Sequence, residues 1–222
     1  MYMKSFYNEE AKTLPVVKEL LENFDEIKKE IFDFIETGKA YKYYDEYEYV
    51  DQITGESKKK LYEKDWKIFG IARMDWEGID ESIHAPIKDD LTNRIIKIVQ
   101  RRCKKTGDIL KKYENQKVLQ NGFISSLTPG SKIHPHRGWN DKVLRVHLCF
   151  TDDPACVITV NGEKQSWKEK EVLAFVDYDV HSVEHNGSKE RVILIFDVPF
   201  ECVEKYSPGF IEQRYASRKI SV

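Results

Sequence analysis

Apolar residues near the N-terminus recur at steps of three and four, which is the period of a helix buried along one side. In TLPVVKELLENFDEIKKEIFDFIETGK these residues form one stripe: Val17, Leu20, Leu21, Phe24, Ile27, Ile31, Phe34 and Ile35. Thr13 suits the N-cap, Pro15 the first turn and Gly38 the end of such a helix. The pattern predicts one long amphipathic helix that packs its stripe against the rest of the chain.

The segment between this helix and residue 120 mixes two patterns. Over residues 40–75, short β-prone runs flank the turn-like TGES and predict irregular strands or a hairpin. Residues 90–103 predict a second helix, with an apolar stripe of Leu91, Ile95, Ile96 and Val99. The tyrosine-rich segment 41–49 is a candidate for the mouth of a binding site, although plain packing explains it equally well.

From residue 120 onward the pattern becomes that of strands. The runs GFISSLT, KVLRVHLCF, CVITV, EVLAFV and RVILIFDV are separated by the turns TPGS, TDDP, NGEK and HNGS. This spacing is typical of an antiparallel sandwich or barrel, including the jelly rolls that house cupin-type sites. We therefore predict a mainly β fold with flanking α-helices, built on a double-stranded β-helix on which the N-terminal helices pack.

The length of 222 residues suits a single domain. Within it we expect a helical and irregular region over 1–119, the β core over 120–200, and a C-terminal tail over 201–222. The 36 basic and 38 acidic residues leave a net charge of -2, which gives no reason to expect a nucleic-acid partner. The N-terminus lacks the apolar stretch of a signal peptide, and no apolar run approaches the length of a membrane span, so a cytoplasmic protein without a membrane partner is expected.

The stretch HPHRGWNDKVLRVHL holds three of the six histidines of the chain. A jelly roll brings residues that are distant in sequence together at its open end, so His136 and His181 are candidates for one site. Two neutral imidazoles suit Fe(II), Zn(II), Cu(II) or Ni(II). The role of His134 stays open, because the HxH spacing also occurs in metal-binding cupins.

Two arginines lie on strands whose apolar sequences predict that they are buried. Arg145 and His147 are two positions apart and so share one face of their strand, while Arg191 opens the apolar run RVILIFDV. A buried arginine is costly unless it is paired, and its planar fork matches a carboxylate. The pattern indicates a dicarboxylate or 2-oxo acid bound beside a metal. The alternative is a purely structural pairing with carboxylates of the chain: Asp177, Asp179 or Asp197.

Two stretches, FISSLTPGSKIHPHRGWNDKVLRVHLCF and SWKEKEVLAFVDYDVHSVEHNGSKERVILIFDV, carry a resemblance to a known family. They contain a strand serine, PG, PHxG, LRxHL, and then a histidine followed ten residues later by an arginine. This combination resembles the aspartyl/asparaginyl β-hydroxylase family of Fe(II)/2-oxoglutarate dioxygenases. The resemblance covers about residues 120–200.

Carried over by position, the resemblance implies specific roles. It makes His136 and His181 the iron ligands and leaves His134 without a ligand role. The distal carboxylate of 2-oxoglutarate would be bound by Ser125 and Arg191, and its metal-bound end would lie near Arg145 and His147.

The wider superfamily places a carboxylate ligand two residues after the first histidine, a position that is Gly138 here and glycine in the resembled family too. Water, or as a weaker alternative Asp141, would fill the open coordination position. Trp139 and Asn140 are candidates for contacts with substrate.

The resemblance implies hydroxylation of an Asp/Asn-type residue in a peptide, or of a free amino acid, with succinate and CO2 as co-products. One alternative is halogenation at the same iron, for which Gly138 would leave room for a halide. Another is a non-catalytic metal-binding cupin module, which would not need Ser125, Arg145 and Arg191 together.

Overall fold

The computed structural model describes residues 4–37, 49–50, 53–58, 61–72, 90–138 and 140–216. Its helices are α1 (Asn8–Thr13), α2 (Pro15–Glu22), α3 (Phe24–Thr37), α4 (Asp90–Arg102), α5 (Lys104–Asn115), α6 (Phe200–Tyr206) and α7 (Phe210–Ala216). Its strands are β1 (Tyr49–Val50), β2 (Ser57–Lys58), β3 (Tyr62–Glu63), β4 (Trp66–Ala72), β5 (Asn121–Leu127), β6 (Lys132–His136), β7 (Val143–Cys149), β8 (Cys156–Val160), β9 (Glu163–Ser166), β10 (Val172–Val176), β11 (His181–His185) and β12 (Arg191–Pro199).

Two five-stranded antiparallel sheets face each other. Their strand orders are β10-β7-β12-β5-β4 and β3-β6-β11-β8-β9. From β5 to β12 the chain passes repeatedly from one sheet to the other, which is the winding of a double-stranded β-helix. The predicted jelly-roll, cupin-like fold is therefore confirmed. The hairpin expected around TGES is also present, as the antiparallel pair β1-β2.

The sheet that contains β7 and β12 is covered on both faces. Along β7, Leu144, Val146 and Leu148 pack in the cluster shared with the helices, whereas Cys149 packs between the two sheets. This alternation places Arg145 and His147 on the inner face, as their two-residue spacing predicts. It also explains why β12 reads as an unbroken apolar run, since strands buried on both faces lose the polar alternation.

The N-terminal stripe forms three helices rather than the predicted single one. Leu14 is extended, with ψ of 133°, between α1 and α2. A residue that precedes proline avoids the helical region, and Pro15 then begins α2 because its missing N–H is not needed there. The N-cap is consequently Leu14, so the prediction of Thr13 was wrong. Gly38 lies outside the described residues.

The second break lies at Asn23, between α2 and α3. Its backbone has φ of -105° and ψ of 19°, and its side-chain amide donates to the Glu19 carbonyl at 2.8 Å. Asparagine often bonds to nearby backbone in this way, which competes with helix continuation. The stripe nevertheless stays on one side, since Val17, Leu20 and Phe24 all belong to the same buried cluster.

The remaining helices agree with the prediction in part. Helix α4 occupies the predicted segment, with Ile96 and Val99 buried, while the side chains of Leu91 and Ile95 are outside the described set. Helix α5 was not predicted. The segment expected as a tail forms the short helices α6 and α7. Phe210 and Arg214, both on α7, are buried. Among the described helices, none combines the length and the apolar character needed to span a membrane.

Candidate active site

His136 and His181 are directly opposed on neighbouring strands. They are Cα partners in the antiparallel pairing of β6 with β11, and their ring centroids lie 4.1 Å apart. Both line a cavity between the two sheets. Residues 45 positions apart in the chain are thus brought into one site by the register of a single strand pair.

A β-bulge at the sequence HPH aims His136 into the cavity. The register shifts by one residue between the pairs His181–His136 and Val183–Ile133. Strand residues three apart normally face opposite sides, but the bulge lets Ile133 and His136 line the same cavity. Pro135 lies within the shifted segment, where its lack of an N–H donor is tolerated.

His134, two residues before His136, lies outside the lining of this cavity. Its Nε2 atom lies 2.9 Å from Oε1 of Glu63, and its ring is buried. The arrangement agrees with the resemblance, which gives His134 no ligand role, and it does not fit a metal site built on the HxH spacing.

Backbone carbonyls fix the orientation of both cavity histidines. Nδ1 of His136 lies 2.8 Å from the His134 carbonyl, and Nδ1 of His181 lies 2.8 Å from the Asp179 carbonyl. Because a carbonyl only accepts, Nδ1 carries the proton in each ring, and Nε2 keeps its lone pair. Metal-binding histidines usually carry such an outer hydrogen bond.

Both rings are held neutral. Burial lowers the pKa of His136 from 6.5 to about 4. Burial, followed by the proximity of His136, lowers the pKa of His181 well below 6.5. A neutral imidazole pair with free Nε2 atoms is the form that binds a transition metal.

Within the described part of the chain, no third His, Cys, Asp or Glu joins this pair in a metal-binding group. Asp141 therefore does not complete the site in this structure. Gly138 donates its backbone N–H to the Asp177 carbonyl at 2.8 Å. A Cβ built on Gly138 would overlap the Asp177 carboxylate, so this position has no room for a side chain.

The cavity is also lined by an arginine that pairs with no carboxylate among the described residues. Arg191, at the start of β12, is 2% exposed, and its Nη2 donates to Ser125 Oγ at 3.0 Å. Its guanidinium lies 5.0 Å from the centre of the Trp167 ring, and its Nε is buried with no hydrogen-bond partner. No carboxylate among the described residues pairs with Arg191, although an isolated buried charge is strongly unfavourable.

Two further hydrogen-bond donors face the same region. Ser125 Oγ accepts from Trp66 Nε1 at 2.9 Å and from Arg191, so its own hydrogen remains free to donate. His147 Nδ1 accepts from Trp167 Nε1 at 3.3 Å, which places the proton on Nε2, a buried atom without a partner. Burial and the charge of Arg191 hold the pKa of His147 well below 6.5. A buried cation beside two such donors is a combination that suits an anion.

Arg145 differs from Arg191 because it is already paired. It stands directly opposite Asp197 in the β7-β12 ladder, and two bonds of 2.9 Å join its Nε and Nη2 to that carboxylate. Its Nη1 also forms an ion pair with Asp177. The pairing with carboxylates that the sequence left open is therefore present at Arg145, which also lines the cavity. Its contact with a keto acid stays a prediction.

The structure brings most of the predicted site residues into one cavity. Those that line it are His136, His181, Ser125, Arg145, His147 and Arg191. Asn140 does not line it, and its Oδ1 accepts the backbone N–H of Lys142 at 2.8 Å. Trp139 lies outside the described residues, as do the side chains of residues 41–49. Contacts of Asn140 and Trp139 with substrate stay predictions.

Sequence reasoning missed the aromatic part of the wall. Trp66, Phe123, Trp167 and Phe175 all line the cavity. The pattern of WKIFGIA predicts a strand that contains Trp66. Its place at the cavity follows from the pairing of β4 with β5, which is distant in sequence. These rings make the cavity largely apolar around a few directed polar atoms, as ligand sites commonly are.

The sequence of this chain is similar to one known protein family and to several curated proteins. The family model described as aspartyl/asparaginyl beta-hydroxylase matches residues 11–199. Aspartate beta-hydroxylase domain-containing protein 2 of Xenopus tropicalis is 35% identical over 104 residues, which are 44% of this chain and 28% of that protein. The human aspartyl/asparaginyl beta-hydroxylase is 32% identical over 157 residues, which are 63% of this chain and 20% of that protein.

The matched regions thus span less than a third of these curated relatives. Among solved structures, a cupin domain of an XRE family transcriptional regulator from Enterobacter cloacae covers 38% of this chain and 84% of its own, with 12% identity and a TM-score of 0.33. The fold assignment rests on the two sheets described above. Since the family model covers most of its length, this chain belongs to the aspartyl/asparaginyl β-hydroxylase family.

Proposed function

We propose that this protein is an Fe(II)- and 2-oxoglutarate-dependent dioxygenase that hydroxylates an Asp/Asn-type residue in a peptide, or a free amino acid. Succinate and CO2 would be the co-products. The observation that carries the proposal is Arg191, a buried cation without a carboxylate partner among the described residues. Arg191 lines the same cavity as the neutral pair His136 and His181.

The cavity residues divide into those that would hold the iron and those that would bind 2-oxoglutarate. His136 and His181 would hold the iron through Nε2, since neutral imidazoles are ligands that Fe(II) accepts. Arg191 and the Ser125 hydroxyl would bind the distal carboxylate of 2-oxoglutarate, because a guanidinium fork and a hydroxyl donor match that group. The His147 Nε2–H would donate to an oxygen of the same molecule.

When bound, the iron and 2-oxoglutarate supply the oxidising chemistry of hydroxylation. The chain itself supplies binding, orientation and shielding. Arg191 and Ser125 fix one end of the keto acid, which limits how its other end can approach the histidine pair. The walls formed by Phe123, Trp167 and Phe175 exclude water from this region.

Hydroxylation is preferred over halogenation on the basis of Gly138. The Asp177 carboxylate fills the space that a Cβ on Gly138 would need, so a negative group already lies beside this position. A negative group at that position disfavours a second anion. A non-catalytic cupin module, in turn, gives no reason to bury Arg191 without a counter-ion.

An anaerobic titration of metal-free protein with Fe(II) and 2-oxoglutarate tests the proposal by visible absorption. We expect a weak charge-transfer band that requires both additions and is lost in Arg191→Ala. Arg101→Ala, which removes an exposed arginine of α4, is the matched control and should keep the band. A wild-type protein without the band, or an Arg191→Ala protein that keeps it at the same 2-oxoglutarate concentration, would contradict the proposal.

If the band appears, release of succinate identifies the substrate class. Free amino acids and Asp- or Asn-containing peptides would be compared at equal concentration. Succinate formed in step with a hydroxylated product supports the proposed reaction. Chloride-dependent formation of a halogenated product would instead favour the halogenase.

A further inference from the structure

A second buried arginine, Arg214, has no part in the cavity described above. It lies on α7 and is 0% exposed. Its Nη1 and Nη2 donate to the two carboxylate oxygens of Asp179 at 2.8 and 2.6 Å. Asp179 is itself buried and lies in the turn between β10 and β11. The C-terminal helix is therefore joined by a two-pronged ion pair to the turn that precedes His181.

The same aspartate contacts the histidine through its backbone. The Asp179 carbonyl accepts the Nδ1 hydrogen bond of His181 at 2.8 Å. The side chain of Asp179 is thus held by Arg214 while its backbone orients the imidazole. The link from the Arg214 guanidinium to the His181 ring therefore runs through a single residue, Asp179.

Phe210 joins helix α7 to the rest of the protein at a second place, apart from the ion pair. The ring of Phe210 packs edge-on against Tyr7 at 5.1 Å and against Phe200 at 5.0 Å. Asp179 also donates its backbone N–H to the Val176 carbonyl at 2.9 Å, which makes the turn tight. The Asp179 side chain is held by Arg214 and its backbone N–H by the turn, so a rotation of the Asp179 peptide would have to break one of these contacts.

Stability alone gives a weak reason for such a pair. Taking two charges out of water costs about as much as their attraction returns, and apolar replacements of buried ion pairs are often neutral or stabilising. What a guanidinium fork adds is direction, because its two parallel bonds define the orientation of the carboxylate. Asp179 of this pair also supplies the backbone carbonyl that supports a cavity histidine, and this gives that direction a use.

We propose that Arg214 is a positioning residue: by fixing Asp179, it fixes the carbonyl that orients the His181 imidazole toward a metal ion. This inference rests on the proposed function, since it assumes that His181 binds metal. Outer contacts of metal-binding histidines commonly change metal affinity by about 10- to 100-fold. Because Arg214 acts through one further residue, we expect the lower end, roughly a tenfold weaker affinity on its removal.

The test uses two readouts on the full chain, with Co(II) as the spectroscopic probe. The first is the Co(II) dissociation constant from visible absorption. The second is the tautomer of His181 in metal-free protein, from its imidazole nitrogen chemical shifts. In Arg214→Met we expect roughly tenfold weaker Co(II) binding and partial loss of the Nδ1–H tautomer. Arg214→Lys, which keeps the charge but not the fork, should lie between Met and wild type.

The control is Phe210→Leu, which loosens the same helix without contacting Asp179. It should lower the melting temperature but leave both readouts near wild type. Equal losses in Phe210→Leu and Arg214→Met would overturn the proposal, as would an Arg214→Met protein with unchanged tautomer and affinity. If Arg214→Met does not fold, Asp179→Asn takes its place with the same expected results.

The design separates this inference from the proposed function. His181→Gln must abolish Co(II) binding at the cavity if the histidine pair is the metal site at all. Failure of that variant to change binding would reject the metal site, whatever Arg214 does. Normal loss in His181→Gln together with no effect of Arg214→Met or Arg214→Lys would reject only the positioning role.

Discussion

The Asp177 carboxylate fills the space that a side chain at Gly138 would need. Gly138 donates its backbone N–H to the Asp177 carbonyl at 2.8 Å, and a Cβ on Gly138 would overlap the Asp177 carboxylate. The carboxylate is held by Arg145, which is also bound by Asp197. The absence of a side chain two residues after His136 is thus a packing requirement of this chain, whichever ligands a metal ion takes.

Gly138→Ala should therefore destabilise the protein by roughly 1–3 kcal/mol, the usual cost of forcing extra atoms into a packed site. The double variant Gly138→Ala/Asp177→Ala should recover part of that cost, since the overlap is then removed. Urea unfolding of the two single variants and the double variant measures this coupling. Strictly additive effects would show that the two residues do not compete.

Gly138→Asp should not add a working carboxylate ligand. The new side chain would meet the Asp177 carboxylate, so overlap and like-charge repulsion both oppose it. We expect Co(II) affinity at or below that of wild type and a lower melting temperature. Tighter metal binding in Gly138→Asp, without a second change at Asp177, would contradict this reading of the site.

Arg191→Met should separate binding from stability. The substitution removes a buried charge that lacks a carboxylate partner among the described residues, so the ligand-free protein should be no less stable than wild type. Binding of 2-oxoglutarate should fall sharply. Wild-type protein should gain about 2.7 kcal/mol at a ligand concentration 100 times its dissociation constant, and the variant almost nothing.

Thermal unfolding with and without Fe(II) and 2-oxoglutarate, in the absence of oxygen, makes the comparison. Fe(II) alone should stabilise both proteins equally, because Arg191 does not contact the histidine pair in this structure. A large loss of stability in ligand-free Arg191→Met would instead assign the arginine a structural role.

Trp167→Phe tests the hydrogen bond that sets the tautomer of His147. Without the indole N–H, the His147 ring can place its proton on Nδ1 and turn a lone pair toward the anion. The net value of one hydrogen bond, about 0.5–1.5 kcal/mol, predicts a loss of 2-oxoglutarate affinity of roughly 2- to 10-fold. Titration of the charge-transfer band measures it. An unchanged affinity, or an equal loss of Fe(II) binding, would be inconsistent with this role.

The buried histidine pair should make the metal-free protein sensitive to acid. The pKa of His136 is about 4 in the folded protein, against 6.5 for an exposed histidine, and that of His181 is also lowered. Between these values the unfolded chain binds protons that the folded chain does not, so the free energy of unfolding falls as the pH falls. This loss begins near pH 6.5 and is complete for His136 near pH 4.

His136→Gln should flatten this dependence. Removing one such group lowers the slope by at most ~1.4 kcal/mol per pH unit. Urea unfolding of both proteins across the same interval gives the two slopes, and taking their difference cancels the contribution of carboxylates that titrate nearby. Parallel slopes would show that His136 titrates normally in the folded protein.

Much of the fold follows from local pattern. The alternating and continuous apolar runs after residue 120 identified five strands of the core, because the faces that a strand buries are written into its own residues. The two-residue spacing of Arg145 and His147 likewise placed both on the inner face. The family motif then selected six of the residues that line the cavity.

Other features depend on atoms that the sequence does not place near one another. Which arginine has a counter-ion was decided by strand register, since Asp197 stands opposite Arg145 but no carboxylate among the described residues pairs with Arg191. The bulge at Pro135 depends on the strand with which β6 pairs. The breaks at Leu14 and Asn23 have local causes, Pro15 and the Asn23 side chain, which apolar periodicity alone does not detect.

The sequence by itself predicted the β core and the candidate histidine pair, because the faces that a strand buries and the spacing along it are local properties. Only the tertiary structure decided how these parts are supported. The hydrogen bond from Gly138 to Asp177 and the ion pair of Arg214 with Asp179 join residues that are 39 and 35 positions apart. Contacts of that kind form when distant segments pack, and no local pattern encodes them.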